Sequence, residues 1–131
     1  QQDVPAVRVI FDCGAAVVLV PCFGVASHLL ASAADIQHHL AGRNALCDAL
    51  CELFCAYADD HFGWAKEIWD VSTIAWLMNP DWVPSSLEHS PMLTDDCHWA
   101  HSSSRHLIRV AYYCHRTPIF RDMYAKLHTA P

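Results

Sequence analysis

Residues 15–20, Ala-Ala-Val-Val-Leu-Val, form an unbroken apolar run that stops at Pro21. A β-branched run without polar alternation marks a strand covered on both faces, as inside a parallel sheet. Upstream, Asp3 is placed to cap a helix and Pro5 falls in its first turn. Val4, Val7, Ile10 and Phe11 recur at helical spacing, and Gly14 closes the last turn, so residues 4–13 are predicted helical. Helix, glycine, buried strand is the repeating unit of an α/β fold. The segment Phe23 to Leu30 then lies at the carboxyl end of the strand, where open α/β sheets place their ligand crevice.

The remaining elements follow the same reading. Asp35 to Leu40 is a short helix closed by Gly42. Asn44 caps a longer helix over 45–58, whose apolar stripe is Leu46, Cys47, Leu50, Cys51, Phe54 and Tyr57. A polar loop through Asp59, Asp60 and Gly63 leads to Trp69-Asp70 and an apolar helix that Asn79-Pro80 terminates. Leu87 to Leu93 and Cys97 to Ala100 have the look of short hairpin strands. His106 to Tyr113 reads as a second sheet strand. Thr117 and Pro118 open a final helix with Ile119, Phe120, Met123, Tyr124 and Leu127 on one face. No linker or repeat divides the chain, so residues 1–131 are expected to form one domain.

Composition excludes several function classes. At 53% hydrophobic and 17% charged residues the chain is globular rather than disordered. A net charge of −6 with no Lys/Arg run argues against a nucleic-acid partner, because nothing is present to neutralise phosphates. The longest apolar run is far too short to span a bilayer. The odd count of seven cysteines, spread through apolar segments, predicts reduced, buried thiols and a cytoplasmic setting.

The segments Gln2 to Gly14, Val18 to Cys22, Gly24 to Leu29, Glu67 to Leu77, Asn79-Pro80 and Ile119 to Tyr124, in this order, resemble the carboxyl-terminal part of an inosine–uridine-preferring nucleoside hydrolase. The resemblance implies an α/β fold: the carboxyl-terminal part of a mainly parallel, Rossmann-like sheet with flanking helices. It implies a calcium-dependent enzyme, a homo-oligomer when complete, that cleaves the N-glycosidic bond of ribonucleosides in purine metabolism and salvage. Asp70 falls where the family places a calcium ligand. Trp69 falls where the family often has histidine near the departing base, and tryptophan there implies stacking on the base. The family's DxDxxxDD motif, which supplies most calcium ligands and the base that activates water, has no counterpart; Asp59-Asp60 and Asp95-Asp96 lack its spacing. Calcium takes 6–8 oxygens, so Asp70 alone makes no site. The expectation is therefore a fragment that holds no catalytic residue of its own and is inactive alone.

Each residue also has a plainer role open to it. Asp70 has the residue type of a helix N-cap bonding the N–H of Ser72 or Thr73. Trp69 has that of a partly buried packing residue. Cys47, Cys51 and Cys55 share one helix face, which suits core packing better than zinc. His28 is placed to line the crevice or to serve as a structural residue. Two rival functions are a degenerate purine-binding module without catalysis, and a small zinc-binding domain built on Cys97, His98, His101 and His106.

Overall fold

In the computed structural model, which describes residues 3–130, five α-helices pack around small β-sheets. The first helix, α1 (Val4–Asp12), begins where Asp3 Oδ1 accepts the Ala6 N–H at 2.9 Å, as its sequence predicts. Strand β1 (Val18–Leu19) follows Gly14, whose positive φ of 75° ends the helix in the left-handed region. A turn and a 3-10 segment (Ala26–His28) lead to β2 (Leu30–Ser32) and α2 (Ala33–Leu40). Helix α3 (Ala45–Cys55) is capped by Asn44, whose Oδ1 accepts the Cys47 N–H at 2.8 Å. The Asn44 amide also donates to the Leu127 carbonyl at 2.9 Å, tying the start of α3 to the end of the chain's last helix. Then come β3 (Ala65–Glu67), α4 (Val71–Met78), β4 (Ser85–His89), a hairpin of β5 (Met92–Leu93) and β6 (Trp99–Ala100), β7 (Leu107–Ala111) and α5 (Arg116–His128).

The sheet corrects the expectation of a mainly parallel, Rossmann-like layer. The largest sheet has the order β1-β7-β4; β1 runs parallel to β7, and β4 runs antiparallel to it. The other two sheets, β2-β3 and β5-β6, are antiparallel pairs. The architecture is thus mixed α/β. The physical reason is connectivity: β4 returns to β7 through a hairpin excursion rather than a helical crossover, and short returns of that kind join antiparallel strands. Two further corrections concern burial. The run 15–20 contributes only Val18–Leu19 to the ladder, and Val18 keeps 38% of its surface exposed, so this strand is not covered on both faces. Helix α4 buries only Ser72 and Ala75; Ile74, Leu77 and Met78 face outward. At the carboxyl end, α5 starts at Arg116 with His115 as its cap, so Thr117 lies inside the helix rather than capping it.

The core lies between α2, α3, α4 and α5, with Leu29, Ile36, Leu40, Cys47, Ala75 and Ile119 among its buried members. Arg116 seals one side of it. Its Nε donates to the Leu30 carbonyl at 2.6 Å, its second nitrogen pairs with Asp35 at 2.5 Å, and the guanidinium lies 4.2 Å over the Phe120 ring. Arg105 does the same for α1, donating to the Phe11 and Ser90 carbonyls at 2.7 Å each and to Asp12 Oδ1 at 2.5 Å. All seven cysteines are unpaired, but only Cys47 and Cys114 are buried; Cys13 and Cys22 are exposed, which corrects the expectation of buried thiols, since both sit just past the ends of α1 and β1 rather than inside the core.

Two buried groups make stability depend on alkali. Burial pushes the Cys114 thiol up to about 11. Burial first, and then the charge of Asp35, pushes the Tyr124 phenol up to about 12, with Arg116 opposing. Both groups stay neutral in the fold while the unfolded chain ionises them near their ordinary values of 9.0 and 10.0. Their contribution is therefore fully present below pH ~9 and is lost as pH rises toward ~12. The Tyr124 hydroxyl is moreover buried with no hydrogen-bond partner among the described residues. Tyr124→Phe is expected to raise stability by about 1 kcal/mol at pH 7 and to flatten the alkaline decline. Urea unfolding at pH 7 and pH 10.5 checks both; a variant less stable at pH 7 contradicts the assignment.

Candidate functional site at the carboxyl end of the parallel pair

The parallel strands β1 and β7 point their carboxyl ends at one rim, and the aromatic and acidic residues singled out by sequence gather beside it. Leaving β1, the chain turns tightly at Pro21 to Gly24. The Ala26 N–H reaches the Pro21 carbonyl at 3.0 Å, the Ser27 N–H reaches the Cys22 carbonyl at 2.8 Å, and the Gly24 N–H donates to Ser27 Oγ at 3.0 Å. Gly24 holds φ +80°, a conformation that a side chain would strain. This turn pushes Phe23 outward, 86% exposed.

Trp69 is brought to the same place by the β2-β3 pair. Leu30 faces Glu67 in the ladder, and the Ile68 N–H to Leu29 carbonyl bond, 3.0 Å, carries the register one residue further. The Trp69 ring meets Phe23 edge to face, with centroids 5.9 Å apart and planes at 70°. Beyond it runs a second aromatic series, His28 to Tyr113 at 4.7 Å and Tyr113 to His115 at 4.9 Å, supplied by the residues that follow β7. Edge-to-face pairs of this kind hold rings in fixed orientation.

Asp70 opens α4 but does not cap it. Its backbone is in the helical region (φ −77°, ψ −16°), whereas a capping residue is extended so that its side chain can turn back to the first N–H groups. The first turn is instead fastened from the other direction. Ser72 Oγ donates to the Trp69 carbonyl at 2.7 Å, and Thr73 Oγ1 donates to the Asp70 carbonyl at 2.8 Å. The Asp70 carboxylate is exposed and makes no hydrogen bond or ion pair among the described residues. The capping role is therefore set aside, and an uncommitted carboxylate stands next to a half-buried indole.

Several other acids have local partners. Asp60 accepts the Phe62 N–H at 2.9 Å, Asp95 pairs with Arg8 at 2.7 Å, and Asp96 is bonded by Thr94 and lies 3.1 Å from His98. The Thr94 hydrogen bond leads the effects that hold the Asp96 carboxyl below the usual range. No three metal-ligating side chains converge anywhere among the described residues. The zinc arrangement of Cys97, His98, His101 and His106 is thus not assembled. Asp70 suits calcium as one hard oxygen ligand, but the described residues offer no cage around it.

A cleft of about 560 Å³ adjoins this rim, lined by Val20, Pro21, Phe23, Glu88, Trp99 and His101 among others. Phe23 thus stands between the cleft and Trp69. Sequence placed Phe23 in the crevice segment without a role of its own and gave Tyr113 and His115 none; their signal was position, since each lies within four residues of the end of a sheet strand.

No family model matches the chain, and no curated protein matches it in sequence. A solved structure does match in three dimensions: the plant nucleoside hydrolase PpNRh1, with a TM-score of 0.78 at 17% identity, over 97% of this chain. The chain has a nucleoside hydrolase-like fold. It spans 45% of the length of that plant enzyme's chain, so more than half of the neighbour lies outside the match. No helix among the described residues is long and apolar enough to cross a membrane.

Proposed function

We propose that this chain is the base-binding portion of a ribonucleoside hydrolase, a domain that splits the N-glycosidic bond into base and ribose. The observation that carries the reading is the pairing of a free Asp70 carboxylate with the Trp69–Phe23 aromatic wall at the carboxyl rim, in a fold shared with a nucleoside hydrolase. Glycosidic cleavage leaves positive charge on the sugar while the base departs with the bonding electrons. Trp69 stacks the departing base, which is worth about 1–3 kcal/mol for an aromatic platform. Phe23 fixes the plane of that indole. Asp70 offers one oxygen to a calcium ion whose remaining ligands come from outside these residues; bound calcium would orient and activate water. The substrate class is a ribonucleoside, and the working form is the homo-oligomer and cytoplasmic setting implied by the sequence resemblance.

Since one carboxylate makes no calcium cage, the isolated chain is expected to bind calcium no more tightly than millimolar and to release no ribose from inosine, adenosine or uridine. Calorimetry with calcium and a reducing-sugar assay test this. A stoichiometric micromolar site, or ribose release by the chain alone, overturns the division of labour proposed here.

A second reading draws on the same aromatic wall. A module that stacks purines without cleaving them needs Trp69 and Phe23 but not Asp70. Stabilisation of the chain by free hypoxanthine that survives Asp70→Ala, with no sugar release from any completed form, would favour it.

A further inference from the structure

The cysteines differ in what surrounds them. Cys47 and Cys114 are fully buried, and the Cys47 thiol meets the Leu127 carbonyl at 3.5 Å. Cys13, Cys22 and Cys97 fall on three separate connections, after α1, after β1 and in the β5-β6 hairpin. Cys51 and Cys55 are unlike these: both lie on α3, one turn apart, and both are half-buried. Helix residues four apart share one face with Cβ atoms about 5–6 Å apart, and each side chain leans toward the amino end. The Cys55 thiol therefore leans back over Cys51. From α2, the Gln37 amide donates to the Cys55 sulfur at 3.5 Å, which places that sulfur at the seam of α2 and α3. Burial first, then Cys55, then the charges of Asp48 and Glu52 push the Cys51 thiol up. That thiol stays protonated at neutral pH, and a protonated thiol is a poor nucleophile.

A disulfide needs Cβ atoms about 3.5–4.5 Å apart, closer than one helical turn sets them, so the pair does not close on itself while α3 is intact. An ion between two sulfurs, with metal–sulfur bonds of about 2.3 Å, lets them stand up to about 4.6 Å apart and suits the wider gap. The number of ligands then selects the ion. No group of three His, Cys, Asp or Glu side chains converges among the described residues, so the pair offers two sulfurs and no third ligand. Zinc takes four ligands and calcium takes 6–8 oxygens. Cu(I) is soft, prefers thiolates and is satisfied by two of them in a line. We propose that Cys51 and Cys55 form a two-coordinate site for Cu(I) at the seam of α2 and α3. On binding, two S–H bonds break, two Cu–S bonds form and two protons leave to solvent. No electron moves, so no oxidant or reductant is required. The charges of Asp48 and Glu52, which disfavour a bare thiolate at Cys51, favour a cation beside it. The site shares no residue with the Phe23–Trp69–Asp70 rim and does not rest on the nucleoside reading.

The test is competition for Cu(I) between the reduced 131-residue chain and bicinchoninate without oxygen. The chain is expected to take one ion and to release about two protons with it at pH 7. Cys51→Ser and Cys55→Ser are each expected to weaken binding by about 100-fold or more, because the second sulfur acts as a tethered ligand at high effective concentration. Cys13→Ser and Cys22→Ser, made together at the exposed thiols, are expected to leave it unchanged. Alkylation of the unaltered chain keeps the test independent of how the serine variants fold. Without the ion, iodoacetamide is expected to label Cys13, Cys22, Cys51 and Cys55. With one equivalent of Cu(I) it is expected to spare Cys51 and Cys55 alone, as mass spectrometry of the peptides reads. Failure to take Cu(I) from bicinchoninate overturns the site, as does full affinity in either single serine variant at position 51 or 55. Protection that falls on Cys13, Cys22 or Cys97 instead, or thiols at 51 and 55 that resist the reagent without the ion, overturns it too. Neither readout uses calcium or nucleoside, so failure here leaves the Trp69–Asp70 reading in place, and failure of an activity assay leaves the copper site in place.

Discussion

Leu29→Ala is expected to cost about 3–5 kcal/mol, a large share of the stability of a typical domain. Leu29 has 0% of its surface exposed and sits among Val25, Ala31, Ile36 and Leu40 of the core cluster. Truncation removes the transfer energy of three carbons and leaves a cavity that α2 and the β2-β3 pair can fill only by moving. The effect reaches the rim, because the Leu29 carbonyl accepts the Ile68 N–H that sets the position of Trp69. Urea denaturation followed by circular dichroism is the check. A loss below 1 kcal/mol would mean that the core around Leu29 is far looser than its burial implies. Ile119→Ala, equally buried on α5, is the companion variant.

The second large effect falls on function and leaves the fold alone. Asp70→Ala removes an exposed carboxylate that bonds to nothing in this chain, so stability is expected to stay within about 0.5 kcal/mol. On the proposed reading, in a form that also carries the remaining calcium ligands, the same change is expected to lower nucleoside cleavage by at least about 100-fold, since even outer-shell partners of metal ligands cost 10–100-fold when removed. Asp70→Asn keeps the shape, loses the charge, and is expected to follow alanine. A helix cap predicts the reverse pattern: a loss of about 0.5–2 kcal/mol in stability, with asparagine nearly as good as aspartate. Melting curves beside ribose release therefore separate the two roles.

The helices were legible because their determinants are local. Asp3, Asn44 and Asn79-Pro80 mark boundaries through hydrogen bonds and steric clashes within a turn, and the structure places helix ends beside each of them. The sheet was not legible to the same degree. That β7 pairs parallel to β1 and antiparallel to β4 depends on segments meeting across about ninety residues on one side and about twenty on the other, and no short window carries that information. The apolar run 15–20 announced a strand, but the exposure of Val18 is set by what stands beside it.

The site divides along the same line. Sequence alone placed Trp69 and Asp70 at the start of a helix. Only the tertiary structure decided that Asp70 is not a cap, because that turned on a backbone angle and on Ser72 and Thr73 bonding backward to carbonyls. Only the tertiary structure brought Phe23 from forty-six positions away onto the Trp69 ring, through the turn after β1 and the register of β2 with β3. Residue type and spacing determine what a segment can do locally. Which segments meet is decided by burial summed over the whole core, and that sum exists only once the chain is folded.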